Sequence, residues 1–458
     1  MSFIFCNVGQ CGNQLGYSLL NSVHEHLNVD TAGDDLESFF RESSTRQNSD
    51  RLVARAVCID TEPKVVNECL WRSRREADWS LEAGNVVYRH GGAGNNWAMG
   101  YQMCSGDFLE ASLNCIRREL ESCHLPPLLV TIHSVAGGTG SGLGTHITEA
   151  VCDEYPDVTR LNIAITPYHF GEVVVQHYNT VLSLSKISST SHAVLTFENE
   201  VAQELCKAMR KIERPSIADM NKTIAANIVP ILLPKRIGKD GGKPSTLHDD
   251  VATLCAHPSY RFLDVKMTPQ TSDESVDFTY DSWSSLMSTL ERMHDRGTAL
   301  ERRLGGGDGG EGGAREAYVR SIGSHLMLHG PDSHEMAMQD SFGRSVPVLD
   351  SRAKISSSPS FMQPPRYFAN PNYSTLLGGG TVQVHHSQHI VNGYQRSASL
   401  LSNGQAILPI LQRAASKGAE LYRVGAYLHQ YTNCGLETED FLASFRTIGG
   451  VIEAYNTI

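Results

Sequence analysis

The stretch Ala136-Gly137-Gly138-Thr139-Gly140-Ser141-Gly142 sits between an apolar run and a helical pattern and holds four glycines in six residues. Glycine lets a backbone adopt left-handed angles and come close to a ligand. Successive N–H groups then make an anion-binding concavity, reinforced by the positive end of the helix that follows. Thr139 and Ser141 add hydroxyl donors. The composition has two readings, a phosphate loop and a plain tight turn. Its spacing does not fit Gly-x-Gly-x-x-Gly, and no Lys-Ser/Thr follows Gly142 as a P-loop requires. An NAD-dependent dehydrogenase and a P-loop NTPase both lose ground.

Three further bends share the pattern. Gly9-Gln10-Cys11-Gly12 joins a strand to a helix and can present N–H groups to phosphate. Asp60-Thr61-Glu62-Pro63 ends the next strand. Two carboxylates beside phosphate repel it unless a cation mediates, so Mg²⁺ held partly through water is one reading. The other is that Asp60 caps the following helix, with Pro63 in its first turn. Gly91-Gly92-Ala93-Gly94-Asn95-Asn96-Trp97 brings two amides on a third glycine-rich turn. Four such turns at successive strand ends would converge on one crevice. His385, His386 and His389 form the one histidine cluster, which a metal site or an exposed strand or loop would each explain.

The elements that must position these turns alternate between strand and helix. At 458 residues the chain is long enough for two or three domains. Phe3–Val8 reads as a buried strand and Gln10 to about Leu27 as a helix. Residues 28–50 are polar and read as a surface excursion. Ala54–Ile59 reads as a strand, Lys64 to Trp71 as a helix and 107–123 as a helix. Strand Leu128–His133, helix Leu143–Glu154 and strand Leu161–Thr166 follow. Strands separated by helices imply a parallel sheet covered on both faces, with ligands at the carboxyl ends of its strands. After residue 198 helices are expected at Glu200–Arg210 and Ile217–Ile231, then mixed signals to about residue 390. The glycine-rich 305–313 and the Ser/Pro-rich 356–365 are expected to be mobile surface loops. Two helical patterns close the chain, Ala398–Ala414 and Thr438–Tyr455.

Composition removes other classes. Hydrophobic residues make up 40% and charged residues 19%, which fits a folded globular chain. A formal charge of −11 speaks against a broad grip on nucleic acid. No apolar run approaches bilayer length, and the N-terminus lacks the pattern of a signal peptide. Eleven scattered cysteines without a Cys-x-x-Cys pair are the usage of a reducing compartment.

Gly9-Gln10-Cys11-Gly12-Asn13-Gln14, Asp60-x-Glu62-Pro63, Gly94-Asn95-Asn96-Trp97 and Gly137-Gly138-Thr139-Gly140-Ser141-Gly142 together resemble the tubulin family, in order and interval. Ala54–Val57, Glu62–Asn67, Gly171–Gln176 and His429–Thr432 with Glu439-Asp440-Phe441 are similar to its delta branch. The resemblance implies an α/β, tubulin-like fold. Its parts would be a parallel-sheet GTP-binding domain over 1–198, a core helix and mixed α/β intermediate domain over 199–395, and a C-terminal helical domain over 396–458. It implies GTP or GDP as ligand, with Mg²⁺. Gln10, Cys11, Ala136, Gly137, Gly138, Thr139, Gly140, Ser141 and Gly142 would hold phosphates. Asp60 and Glu62 would serve the metal, and Asn95 and Asn96 the γ-phosphate region. Glu172 would reach the ribose, and Asn199 and Asn221 the guanine. Taken singly, either asparagine also reads as a helix cap or solvated surface. Ile217 stands where many tubulins place an aromatic on guanine, and Gln176 where they carry a ribose-contacting glutamate.

In the family, hydrolysis is completed by an acidic residue of the next protomer. Asp249 falls at that place; a solvated helix face is the alternative. The chain ends at Ile458 without an acidic tail, so it is expected to be a poor track for tail-dependent partners. The expected function is that of a structural, GTP-binding cytoskeletal protein in centriole and basal-body triplet microtubules and in cilia, with at most weak, assembly-dependent GTPase activity. Its expected partners are alpha- and beta-tubulin or centriolar microtubules, not nucleic acid or membrane. Cytoplasm, cytoskeleton, centriole and cilium are the expected locations, with the nucleus as a further one. A soluble GTPase and a non-polymerising GTP-binding adaptor are the alternatives.

Overall fold

Apolar runs such as Phe3-Ile4-Phe5-Cys6 show no polar alternation because the strands they form are covered on both faces. The computed structural model describes residues 1–30, 33–42, 51–169, 173–208, 210–237, 243–279, 281–296, 320–334 and 382–458. They form two compact units. One comprises Met1–Ala202, Ser216–Ala225 and Leu408–Glu453; the other comprises Gln203–Pro215, Ala226–Ile407 and Ala454–Ile458.

In the first unit, β1 (Ser2–Val8) is buried at every position and leads into α1 (Gly9–Asp30). Then come α2 (Gly33–Leu36), β2 (Phe40–Glu42), β3 (Leu52–Ala54), β4 (Ala56–Asp60), α3 (Pro63–Arg75), β5 (Trp79–Ser80) and β6 (Val86–Tyr88). They are followed by α4 (Trp97–Met103), α5 (Asp107–Glu121), β7 (Pro127–Ser134), α6 (Gly144–Glu154), β8 (Thr159–Thr166), α7 (Gln176–Thr190) and β9 (Ala193–Glu198). Six strands pair in the order β9-β8-β7-β1-β4-β6, all parallel. From β1 the chain builds outward through β4 to β6, then crosses back and builds the other way through β7, β8 and β9. The direction reverses between β1 and β7, and such a reversal opens a crevice at the carboxyl ends of the two strands. Gly9 follows β1 directly, and the loop 136–142 follows β7. The two glycine turns with the strongest sequence signal therefore flank the crevice.

Two expectations for this unit are corrected. The strand expected at 54–59 is two strands broken at Arg55, whose guanidinium is bonded to Glu37 O and to Ser122 Oγ. The excursion expected at 28–50 contains α2 and β2, and Phe39 is buried and stacked on Phe3 with ring centroids 4.6 Å apart. Residues 31–32 and 43–50 of that stretch lie outside the described residues.

The chain continues through α8 (Asn199–Ala208) and α9 (Ile217–Leu232). The second unit then supplies β10 (Lys235–Ile237), β11 (Lys243–Ser245), α10 (Leu247–Leu254), β12 (Phe262–Thr268), α11 (Trp283–Arg296), β13 (Ser321–His329), β14 (Val382–Ser387) and β15 (Ser397–Gly404). Their order is β11-β10-β14-β13-β15-β12, antiparallel except for the β13–β14 pair. The stretches 305–313 and 356–365 lie outside the described residues. The helix expected over Ala398–Ala414 is contradicted. Its first half is β15, buried at every position between β13 and β12, and a strand covered on both faces shows no period-2 signature. The histidines expected on an exposed strand or loop are also corrected in part, since His385 and His386 are buried in β14.

Three helices close the chain: α12 (Leu408–Arg423), α13 (Leu428–Thr432) and α14 (Thr438–Asn456). Residues 408–453 group with the first unit. There Tyr431 and Phe441 pack against Tyr178, Leu182 and Trp97, with Tyr178 edge-on to Phe441 at 5.1 Å. Pairs of this geometry contribute about 1 kcal/mol each beyond their burial. Ile4, Cys6, Val8, Val57 and Ile59 of the sheet meet Leu143, Ile147 and Val151 in a second cluster. In the other unit Trp283, Leu286 and Leu290 cover Leu326, Leu328 and Leu400. None of the eleven cysteines is in a disulfide. Burial pushes the Cys58 thiol up to about 12, so it behaves as an apolar side chain.

Candidate functional site

The four sequence-marked turns come together in the first unit. Gly9 has φ +72°, which favours glycine, and a Cβ there would stand 3.0 Å from the Gly140 nitrogen. Thr61 Oγ1 and Thr139 Oγ1 share a hydrogen bond of 2.7 Å, joining the carboxylate turn to the glycine loop. A Cβ on Gly92 would lie 2.6 Å from Glu62 Oε1, and one on Gly138 2.6 Å from Ala93 O. Each turn therefore touches another across the crevice.

The glycines of the main loop act by close approach. None of Gly137, Gly138, Gly140 and Gly142 has a positive φ, contrary to the left-handed angles expected. Thr139–Leu143 forms one wide helical turn ahead of α6, and α4 packs directly on it. A Cβ at Gly142 would stand 2.1 Å from Trp97 O, and one at Gly100 2.2 Å from Gly138 O. Two backbones are pressed together with no room for a side chain. Gly137 differs, because a Cβ there would meet only Asn95 Oδ1, at 3.7 Å. Its surroundings are open. The N–H groups of Gly137 and Gly138 have no acceptor among the described residues, as an anion cradle requires.

The hydroxyls divide. Thr139 is partly exposed, whereas Ser141 is fully buried and its Oγ donates to Gly137 O and Gly138 O. The Ser141 hydroxyl shapes the loop from inside. The two amides of the third turn divide as well. Asn95 is exposed at φ +53°, with its side-chain oxygen facing Gly137. Asn96 is buried and caps α4: its Oδ1 accepts from Met99 N at 3.2 Å and its Nδ2 donates to Gln430 O at 3.0 Å. That amide holds the turn with both its oxygen and its nitrogen.

Asp60 is 4% exposed, and its Oδ1 accepts from Thr61 N at 2.7 Å and Glu62 N at 3.4 Å. Burial pushes its carboxyl up to about 6, against the opposing pull of those two N–H groups. Glu62 is exposed at the N-cap of α3 but makes no side-chain cap, and Pro63 opens the helix. Asp60 closes the turn before the helix, and the carboxylate of Glu62 stays available. Gln10 is exposed and Cys11 half-buried in the first turn of α1, which has no acidic residue there. One turn on, Gln14 Oε1 is sealed from solvent and lacks a donor among the described residues. An orphaned acceptor at this place suits a ligand hydroxyl or amine.

At the far side of the sheet, Asn199 is half-buried and Asn221 is 6% exposed. Asn199 is held between two anchored carboxylates. His169 Nε2 lies 3.3 Å from Glu198 Oε2, its Nδ1 lies 3.0 Å from Glu200 Oε2, and Arg413 Nη1 donates to Glu198 Oε2 at 2.8 Å. Burial pushes the Glu198 carboxyl upward, but the bonds from His169 and Arg413 outweigh it and leave the group below the usual carboxylate range. Ile217 is exposed, and no aromatic stands there. Tyr168 reaches the same turn, its hydroxyl 3.2 Å from Met220 Sδ. Gln176 is buried and bonded to Tyr168 O and Val173 N. Glu172 lies outside the described residues. Asp249 belongs to the second unit, where it forms a capping box with Thr246: its Oδ2 accepts from Thr246 N at 2.9 Å and from Thr246 Oγ1 at 2.8 Å.

The residue that sequence reasoning missed is Asn179, in α7. Its Nδ2 donates to Asn95 O at 2.8 Å and to Ala136 O at 2.7 Å. Its Oδ1 accepts from Trp97 N at 3.0 Å and from Tyr431 OH at 2.6 Å. Both donors and both lone pairs of one fully buried amide are satisfied, and they tie the third turn to the glycine loop. In Tyr178-Asn179-Thr180 it looks like any polar residue of a helix, so no local signal marks it.

Residues 2–207 match the family model described as Tubulin/FtsZ family, GTPase domain. Over 479 aligned residues the chain is 30% identical to the tubulin delta chain of Canis lupus familiaris, covering 99% of each. It is 29% identical over 468 residues to the tubulin delta chain of Homo sapiens, again covering 99% of each. The likeness to the tubulin beta-1 chain of Hypocrea rufa is 24% over 471 residues, covering 99% of this chain and 94% of the relative.

The two classes of glycine separate experimentally. Gly142→Ala forces a methyl group into a backbone contact and is expected to cost about 3 kcal/mol or more. Gly137→Ala is expected to leave the thermal midpoint unchanged and to weaken nucleotide binding about tenfold or more. Unaltered affinity in folded Gly137→Ala would show that this backbone does not contact the ligand. Arg413→Leu is expected to lose about 2 kcal/mol at pH 7. Because the folded-state pKa of Glu198 is depressed, its contribution is present above the ordinary carboxylate pKa and vanishes as pH falls through the folded value. Urea unfolding should therefore show the gap between Arg413→Leu and the parent closing in acid; a gap independent of pH contradicts the assignment.

Proposed function

The chain belongs to the tubulin family, and on that basis we propose that it is a GTP-binding structural subunit that works by assembling with other tubulins. The observation that carries this reading is the meeting of the four turns at the β1–β7 switch point, with N–H groups at Gly137 and Gly138 that have no acceptor among the described residues. Phosphates lie against those groups and the start of α1, where the helix dipole favours negative charge. Gln10 and Cys11 border them, and Asn95 faces the γ-phosphate end. Asn96 supports this end from behind, as Ser141 and Asn179 support the loop.

The carboxylates fit Mg²⁺. Asp60 is buried with a raised pKa and Glu62 is exposed beside it, so these two residues would hold a hard cation, which would favour the ionised form of Asp60. The metal would screen phosphate charge against these residues. Asn199 and Asn221 offer donor and acceptor pairs to the guanine edge, with Asn199 fixed by the carboxylates on either side. Tyr168 supplies an aromatic ring that position 217 lacks.

Hydrolysis in this reading waits for a neighbouring subunit. Asp249 gives Oδ2 to the cap of α10 and stays exposed, so Oδ1 is available to orient water at the site of an adjoining protomer. Likeness to tubulin delta chains supports placing the protein with the microtubules of centrioles, basal bodies and cilia. Among the described residues no helix is long and apolar enough to cross a membrane.

Acid precipitation of the purified protein, followed by chromatography of the released small molecules, tests the ligand. A guanine nucleotide is expected, and an adenine nucleotide would overturn the assignment. GTP turnover should be slow for isolated subunits and rise with subunit concentration or with added alpha/beta-tubulin. Fast turnover independent of concentration would favour a soluble GTPase instead.

A further inference from the structure

We propose that Asp250, His325 and His385 form a binding site for one divalent transition-metal ion of the zinc type, inside the second unit. The three come from different elements, α10, β13 and β14. Parallel pairing of β13 with β14 sets Met327 opposite His385, and β10 runs along the other edge of β14 with Ile237 opposite His385. Asp250 follows Asp249 in the first turns of α10 and points inward. It and His385 are fully buried, and His325 is 2% exposed.

The two oxygens of Asp250 have separate duties. Oδ2 accepts from the Lys235 ammonium, which also donates to Ile231 O at 3.3 Å. Oδ1 faces the histidines, 2.8 Å from His325 Nδ1 and 3.7 Å from His385 Nε2. One ligand atom from each of the three residues lies within 4.8 Å of the others. Tetrahedral zinc has ligand edges of roughly 3.3 Å, so small side-chain rotations complete the site.

A second observation points to a ligand. Neither ring nitrogen of His385 has a hydrogen-bond partner among the described residues, although the ring is sealed from solvent. A neutral imidazole offers a lone pair, which is what a metal takes. Two imidazoles and one carboxylate suit a borderline-soft divalent ion better than Mg²⁺ or Ca²⁺. Lys235 fixes the far oxygen of the carboxylate and competes by its charge for the same anion. An ion here has no route to substrate chemistry at this burial. It fastens α10, and with it Asp249, onto β13 and β14. Of the sequence trio His385, His386 and His389, the structure recruits only the first.

Cobalt(II) is the probe, because tetrahedral Co²⁺ absorbs in the visible. The full-length protein, stripped with chelator, is expected to take up one Co²⁺ with that band and to show a higher thermal midpoint with Zn²⁺. His385→Phe keeps the ring volume and should lose at least about a hundredfold in affinity. Lys235→Met removes the competing ammonium and should bind about tenfold more tightly, with Zn²⁺ restoring the stability lost with the ion pair. Absence of the cobalt band, an undiminished band in His385→Phe, or weaker binding in Lys235→Met would each overturn the proposal. The Lys235→Met arm decides the matter if His385→Phe does not fold. None of these readouts involves GTP, so failure here leaves the nucleotide assignment untouched.

Discussion

A single amide governs the site. Asn179 has two donors and two acceptor lone pairs, and the structure uses all four, three of them in fully buried bonds. Leaving any of those partners unpaired would cost about 1–3 kcal/mol, so the arrangement tolerates little drift. Two of the bonds hold the carbonyls of Asn95 and Ala136, which belong to facing turns. A third holds the start of α4. With the turns fixed, the glycines can press backbone on backbone, and the N–H groups of Gly137 and Gly138 are left without an acceptor among the described residues. In the proposed reading, anion recognition follows from polar saturation inside the protein.

The fourth bond, from Tyr431, extends the constraint to the C-terminal helices. Asn96 repeats the connection through Gln430 O, so both asparagine-dependent supports of the third turn end on α13. Tyr431 is itself packed edge-on against Tyr178 and Phe441. A change at the third turn is thus coupled by direct bonds to helices contributed by the last part of the chain. Asp249 shows the same economy in the second unit, where one carboxylate oxygen starts α10 and the neighbouring Asp250 anchors it.

Much of this was legible in the sequence because the signals are local. Strand–glycine–helix junctions at 9, 91 and 137 need only neighbouring residues to be recognised, and the alternation of apolar runs with helical stripes gave the parallel sheet. What escaped depends on distance. Asn179 meets partners 43, 84 and 252 positions away, and nothing in its own helix announces them. The glycines were recognisable as glycines, but the reason for them was not: a close contact with α4 is a tertiary fact, whereas left-handed φ is the local guess. β15 was read as helix because burial on both faces erased its alternation. An exposed strand or loop was one of the two readings of the histidine run, because such a run looks polar until Asp250 and Lys235 are known to lie beside it.

Nucleotide affinity of Asn179→Leu tests the central claim most directly, since leucine keeps the volume of the side chain and removes every bond that joins the turns. Calorimetric titration with GTP and Mg²⁺, at a temperature where circular dichroism shows the variant folded, should find binding weakened by at least about tenfold, equivalent to about 1.4 kcal/mol. Binding as tight as that of the parent chain would show that the cup forms without its amide, and would contradict the account.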